Sequence, residues 1–270
     1  MYYNIHDTMY WVEKTGSGPV LLLLHGFTGS TKTWDSLVKK WKDNYTVVTL
    51  DLPGHGKTTT QVPITMEMCC RDLAALVQTL GIEKVNLLGY SMGGRTALSF
   101  ACLYPHLVDK LILESASPGL LTEKERLERR NKDEQLARKL EREGVKAFVD
   151  FWEKIPLFST QEQLPPDKRG AIRQERLLHS AEGLAMSLRF MGTGSQPSWW
   201  GHLSQLSIPT LLLVGGEDAK FKALNKSMHE RLPQSDFQVV EHAGHALHVE
   251  ESAIFGNIVY EFIISLEEGR

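Results

Sequence analysis

Cysteine is scarce in these 270 residues: Cys69, Cys70 and Cys102 are the full set. Two are adjacent and none stands at a zinc-ligand or redox spacing, so thiol and zinc chemistry are poor readings. They read as small core residues in a reducing compartment. The apolar runs are far too short to cross a bilayer. No basic start followed by an apolar stretch opens the chain, so no signal peptide is expected and the cytoplasm is. A formal net charge of −3 gives no electrostatic support for nucleic-acid or membrane-surface binding. Neither a metal-ligand cluster nor a phosphate-cradling loop is visible, so no cofactor or metal is expected. Internal repeats and low-complexity linkers are also missing.

What is present is an alternation of strands and helices. Tyr2 to Glu13 is rich enough in aromatic and β-branched residues for a strand or hairpin. Val20–Leu24 and Tyr45–Leu50 are short continuous apolar runs, the pattern of strands buried on both faces. A helical pattern starts at Thr65 and ends at Gly81. Strand Val85–Leu88, a helix stopping near Tyr104-Pro105, and strand Val108–Glu114 follow. The order predicts a mostly parallel sheet flanked by helices, with ligands beyond the carboxyl ends of the strands. From Ser117 the alternation stops. Glu123–Arg142, Val145–Trp152, Pro165–His179 and Ala181–Met191 read as helices. Leu211–Val214 and Phe237–Val240 restore the strands, and Ile254–Leu266 closes the chain as an amphipathic helix. The expected organisation is a core of residues 1–116 and 201–270, with residues 117–200 as a helical cap.

The chemistry-bearing stretch is Gly89-Tyr90-Ser91-Met92-Gly93. A G-x-S-x-G between strand and helix puts a serine on a sharp turn. The glycines let the turn pass its neighbours, and the following N–H is left at the positive end of a helix. A serine hydroxyl needs a base, and the base needs an orienting carboxylate. Asp218 follows strand Leu211–Val214, and His245 follows the next strand, after a glycine. Glu217 and Glu114 are rival acids; His248 is a reserve base and His242 stands too close to its strand. The His25-Gly26-Phe27 loop can offer the N–H of Phe27 to join that of Met92 against an oxyanion. In Asp51-Leu52-Pro53-Gly54-His55-Gly56 the His55 ring reads as packing rather than reacting.

These loops together resemble the α/β-hydrolase superfamily over the whole chain. Finer features resemble the menaquinone-pathway 2-succinyl-6-hydroxy-2,4-cyclohexadiene-1-carboxylate synthase family. They are the elbow extended to Gly94-Arg95, Ser117-Pro118-Gly119-Leu120, Asp218-Ala219-Lys220-Phe221, and Gly244-His245. The resemblance implies a lyase that eliminates pyruvate from an enolpyruvyl cyclohexene carrying three carboxylates. It implies Arg95, Arg129 and Arg176 as carboxylate partners, Lys220 assisting, Tyr90 as a hydroxyl donor and Trp152 as an aromatic wall. Taken without the family, the cap arginines read as a solvated helix face. The alternative enzyme is a carboxylesterase or carbon–carbon bond hydrolase using the same three residues; a ligand-binding protein without catalysis is the other class. The expected partner is a small polycarboxylate, in a monomer or small homo-oligomer.

Overall fold

A computed structural model describes residues 1–265. Strand β1 (Tyr2–Ile5) turns into β2 (Thr8–Thr15), the expected hairpin; β3 (Val20–Leu24) and helix α1 (Asp35–Trp41) follow. Next come β4 (Thr46–Leu50), the short β5 (Thr59–Thr60), α2 (Met66–Thr79), β6 (Val85–Tyr90), α3 (Met92–Leu103) and β7 (Val108–Glu114). The segment that follows carries α4 (Glu123–Trp152), a 3-10 stretch at Pro156–Gln163, α5 (Pro166–Leu177) and α6 (Ala181–Met191). The chain then returns through β8 (Thr210–Gly215), α7 (Ala219–His229), β9 (Ser235–Val240), α8 (Leu247–Glu250) and α9 (Ser252–Ser265). Leu266, the expected last helical residue, lies outside the described residues.

Local chemistry accounts for several boundaries. The Thr65 hydroxyl accepts from the Met68 N–H and caps α2, and Gly81 takes φ +68° just past its end. Thr122 and Glu125 form a reciprocal capping box that starts α4. The two helices expected at 123–142 and 145–152 run as one element, interrupted at Gly144 by non-helical dihedrals. Its φ of +79° is a value glycine adopts without steric cost. The four-residue α8 had no helical signature of its own in the sequence, because one turn is too short for a period to register.

The sheet order is β1-β2-β4-β3-β6-β7-β8-β9, with β5 beside β2. Strands β3, β4 and β6 to β9 are parallel, while the hairpin strand β2 runs antiparallel to β4. Both faces are covered, which explains the unbroken apolar runs. Leu22 and Leu24 enter the core shared with α2 and α3, whereas Leu21 and Leu23 enter the core shared with α1 and α9. A third, smaller core joins Ala137, Leu140 and Phe148 of α4 to Leu184, Ala185 and Leu188 of α6. Phe27 and Trp152 pack against it from the sheet side. Because β3 lies between β4 and β6, the chain leaves it in one direction and re-enters on its other side. The loops after β3 and β6 therefore open a crevice at this switch point. No helix among the described residues is long and apolar enough to cross a membrane.

Candidate active site

Ser91 stands between β6 and α3 with φ +50° and ψ −104°, a combination that strains any residue with a side chain. Its N–H donates to the Glu114 carbonyl at 2.8 Å, tying the turn to β7. A methyl group on Gly93 would run into the Leu24 and His25 carbonyls, and one on Gly89 into the Gly93 backbone. The two motif glycines are thus required by close approach of backbone to backbone.

The Ser91 hydroxyl is 3.0 Å from His245 Nε2, and His245 Nδ1 is 2.6 Å from Asp218 Oδ2. Asp218 caps α7, its Oδ1 accepting from the Phe221 N–H at 3.1 Å, so the carboxylate is fixed through both oxygens. Asp218 and His245 are 8% and 1% exposed. Their meeting depends on β8 and β9 ending side by side: a methyl on Gly215 would strike the Gly244 and Ala243 carbonyls. The arrangement lets the imidazole take the hydroxyl proton while the carboxylate holds the Nδ1 proton.

The rival groups lie elsewhere. Glu114 is fully buried, but it accepts from the His248 N–H at 3.1 Å and lies 2.8 Å from His248 Nδ1. Those two reserves therefore pair with each other. Glu217 and His242 are exposed. His55 is buried among the rings of His25, Phe27 and His179.

A cavity of about 650 Å³ opens over the serine, lined by Phe27, Met92 and His245. Met92 is the first residue of α3, so its N–H has no acceptor within the helix. On the other side, His25 orients the Gly26–Phe27 peptide. Its Nε2 accepts from the Leu52 N–H at 2.9 Å, which leaves the proton on Nδ1, 2.8 Å from the Gly26 carbonyl. Burial lowers the His25 pKa to about 4, so the ring is neutral at pH 7.

Arg95, Arg129, Trp152 and Lys220 line this same cavity. Arg95 projects from α3, one turn beyond the serine, and donates to the Met191 carbonyl and to Gln196 Oε1. Burial first, and then the Arg129 guanidinium, depress its pKa to about 9, with Asp133 opposing. Arg129 Nε donates to Asp133 Oδ1 at 2.8 Å. Arg129 thus pairs with Asp133 while the desolvated Arg95 is held by two neutral oxygens, and a guanidinium desolvated in this way favours an added anion. Trp152 stacks on Phe148 and meets Phe27 edge-on, and the exposed Lys220 lies over the Phe221 ring. Arg126 and Arg130 instead donate to the Gly194 carbonyl.

Tyr90 and Arg176 line a neighbouring cavity of about 590 Å³ that does not include Ser91. Arg176 is 7% exposed, stacks on Phe158 and donates to Gln161 Oε1 at 3.2 Å. The Phe158 ring touched by Arg176 also lies 6.2 Å from the ring of His245. Gln196, 1% exposed and bound to Arg95, is a site residue that no local pattern marks. Among the described residues, no group of three or more His, Cys, Asp or Glu side chains could hold a metal.

Residues 19–252 match the family model for the alpha/beta hydrolase fold. A Bacillus subtilis (strain 168) protein that carries the provisional name 2-succinyl-6-hydroxy-2,4-cyclohexadiene-1-carboxylate synthase is 44% identical over 257 residues, 94% of this chain and 93% of the relative. The Salmonella agona (strain SL483) protein of that name is 32% identical over 87% of this chain and 90% of its own length. The solved structure of MenH from S. aureus superposes with a TM-score of 0.90 at 36% identity, covering 95% of this chain and 98% of that one. The chain belongs to the α/β-hydrolase fold family and, within it, to the family of the 2-succinyl-6-hydroxy-2,4-cyclohexadiene-1-carboxylate synthases.

Proposed function

We propose that this protein is a carbon–oxygen lyase that eliminates pyruvate from 2-succinyl-5-enolpyruvyl-6-hydroxy-3-cyclohexene-1-carboxylate, with Ser91, His245 and Asp218 as its catalytic residues. The observation that carries the reading is the pair of guanidinium groups, Arg95 and Arg129, that line the same cavity as Ser91, with Arg95 desolvated and held by two neutral oxygens. A neutral ester has no use for that charge, whereas a substrate with three carboxylates needs it. Residues 117–200 serve as a cap that supplies Arg129 and Trp152 to the cavity over Ser91.

In this mechanism Ser91 passes its proton to His245 Nε2 and takes a proton from the ring carbon beside the succinyl carbonyl. The electron pair moves onto that carbonyl oxygen, held by the N–H groups of Phe27 and Met92. The pair then returns to form a double bond between C2 and C3, the ring double bond shifts from C3–C4 to C4–C5, and the carbon–oxygen bond from C5 to the enolpyruvyl group breaks. The departing enolate takes up the released proton and becomes pyruvate. Asp218 holds the Nδ1 proton throughout, so the neutral ring presents Nε2 as acceptor and the protonated ring is stabilised. No acyl-enzyme forms and no water is consumed, which separates the reaction from ester or carbon–carbon bond hydrolysis by the same three residues. Pyruvate release followed through a coupled dehydrogenase tests it. Ser91→Ala should abolish turnover of the enolpyruvyl substrate while the protein stays folded, and near-normal turnover of that variant would overturn the proposal.

A further inference from the structure

The loop that carries Phe27 is held from above by the segment at the end of α5. The turn is closed by the Gly29 N–H donating to the Gly26 carbonyl at 3.0 Å, with Phe27 and Thr28 at its two central positions. Thr28 has φ +67°, a left-handed value that a β-branched residue adopts only when its surroundings impose it. His179 imposes it. Its Nδ1 accepts from the Gly56 N–H at 3.0 Å, so the proton is on Nε2, 2.9 Å from the Thr28 carbonyl. The ring is 6% exposed, and burial lowers its pKa to about 4, so it holds this tautomer as a neutral group. One turn earlier, Glu175 Oε1 accepts from the Ser30 N–H at 2.8 Å and from the Ser30 and Thr33 hydroxyls, both at 2.7 Å.

From this geometry we infer that His179 and Glu175 are positioning residues for the Phe27 oxyanion donor, so that stabilisation of the oxyanion depends on how the cap is seated. The inference rests on the role proposed above for the Phe27 N–H. His25 fixes the peptide that contains this N–H from the core side, through the Gly26 carbonyl. His179 and Glu175 fix the next residues from the cap side. Removing the cap contacts lets Thr28 relax to a negative φ, which rotates the turn and turns the Phe27 N–H away from the place where charge develops. None of the three side chains touches the cavity over Ser91. Their effect therefore falls on the transition state and not on substrate binding.

The test compares His179→Leu, which keeps much of the ring's volume without its polar atoms, with His179→Gln, whose amide can again donate to the Thr28 carbonyl. Displacement of one oxyanion donor predicts a fall in kcat of about 10- to 100-fold for the leucine variant, with KM within about twofold. The glutamine variant should recover most of it. Selective 15N-phenylalanine labelling gives a readout independent of turnover: the Phe27 amide resonance should move in the leucine variant and return in the glutamine variant. A stationary Phe27 resonance in a folded leucine variant overturns the inference, whatever the substrate turns out to be. A raised KM at unchanged kcat, or an equal loss in both variants at equal thermal stability, also overturns it. If the wild type releases no pyruvate while the Phe27 resonance behaves as described, the assigned reaction fails and the coupling stands.

Discussion

Replacement of Asp218 by Asn separates orientation from charge at the candidate site. The side chain keeps its size, and one oxygen must still accept from the Phe221 N–H, the bond that caps α7. If the amide carbonyl stays there, its NH2 group faces His245 Nδ1. Two N–H groups cannot share that 2.6 Å gap, so the imidazole proton must move to Nε2. The opposite rotamer preserves the tautomer and instead points an NH2 at the Phe221 N–H, at a cost of roughly 1–3 kcal/mol for a stranded buried donor. The two neutral imidazole tautomers are closer in energy than that, so the first arrangement wins. Nε2 then carries a proton and cannot accept one from Ser91 at 3.0 Å. A wrong tautomer in a serine–histidine–aspartate set lowers kcat by about 10⁴-fold, or ~5.5 kcal/mol. Steady-state pyruvate release should show this loss in kcat, with KM little changed and the thermal midpoint within a few degrees of wild type. A folded variant that keeps more than a tenth of wild-type kcat would show that Asp218 does not set the tautomer.

Two further predictions concern charge. Arg95→Ala should lower kcat/KM by an amount equivalent to ~2–5 kcal/mol, the usual result of leaving a buried carboxylate without its partner; an unchanged value means that Arg95 does not meet the substrate. Stability should also depend on pH through the buried imidazoles. His25 and His179, both lowered to about 4 by burial, stay neutral in the fold, while their unfolded forms take a proton near pH 6.5. Stability is therefore undiminished above about pH 6.5 and lost as the pH falls toward 4, on the order of 3 kcal/mol for each ring. His55 acts in the same direction. Asp51, Asp133 and Glu175, raised by burial, regain stability as the pH falls through their own values and offset part of this loss. Urea midpoints measured from pH 7 to 4 should fall, and fall less in a variant with His25 replaced by Asn; an equal fall in both would mean that the His25 ring is not held neutral in the fold.

Much of the site was legible because its signals are local. The strand, the turn and the helix around Ser91 are consecutive, and the steric need for Gly89 and Gly93 acts within that stretch and against one neighbouring strand. Unbroken apolar runs such as Leu21 to Leu24 declare a sheet covered on both faces. The arginines were harder to read. Arg126, Arg129 and Arg130 share one charged helix, and only its rotation about its own axis aims Arg129 at the cavity over Ser91.

The sequence by itself determined the strand–elbow–helix unit, the doubly covered sheet and the chain order of serine, acid and histidine, because each follows from residues close together or from a repeating period. Tertiary structure alone paired Asp218 with His245 and Glu114 with His248, since both acids follow strands and nothing local says which histidine each reaches. It alone put Tyr90 and Arg176 in a cavity beside the one that holds Ser91. Such choices depend on contacts between residues far apart in the chain, and a one-dimensional pattern carries no record of which side chain finally stands between two others.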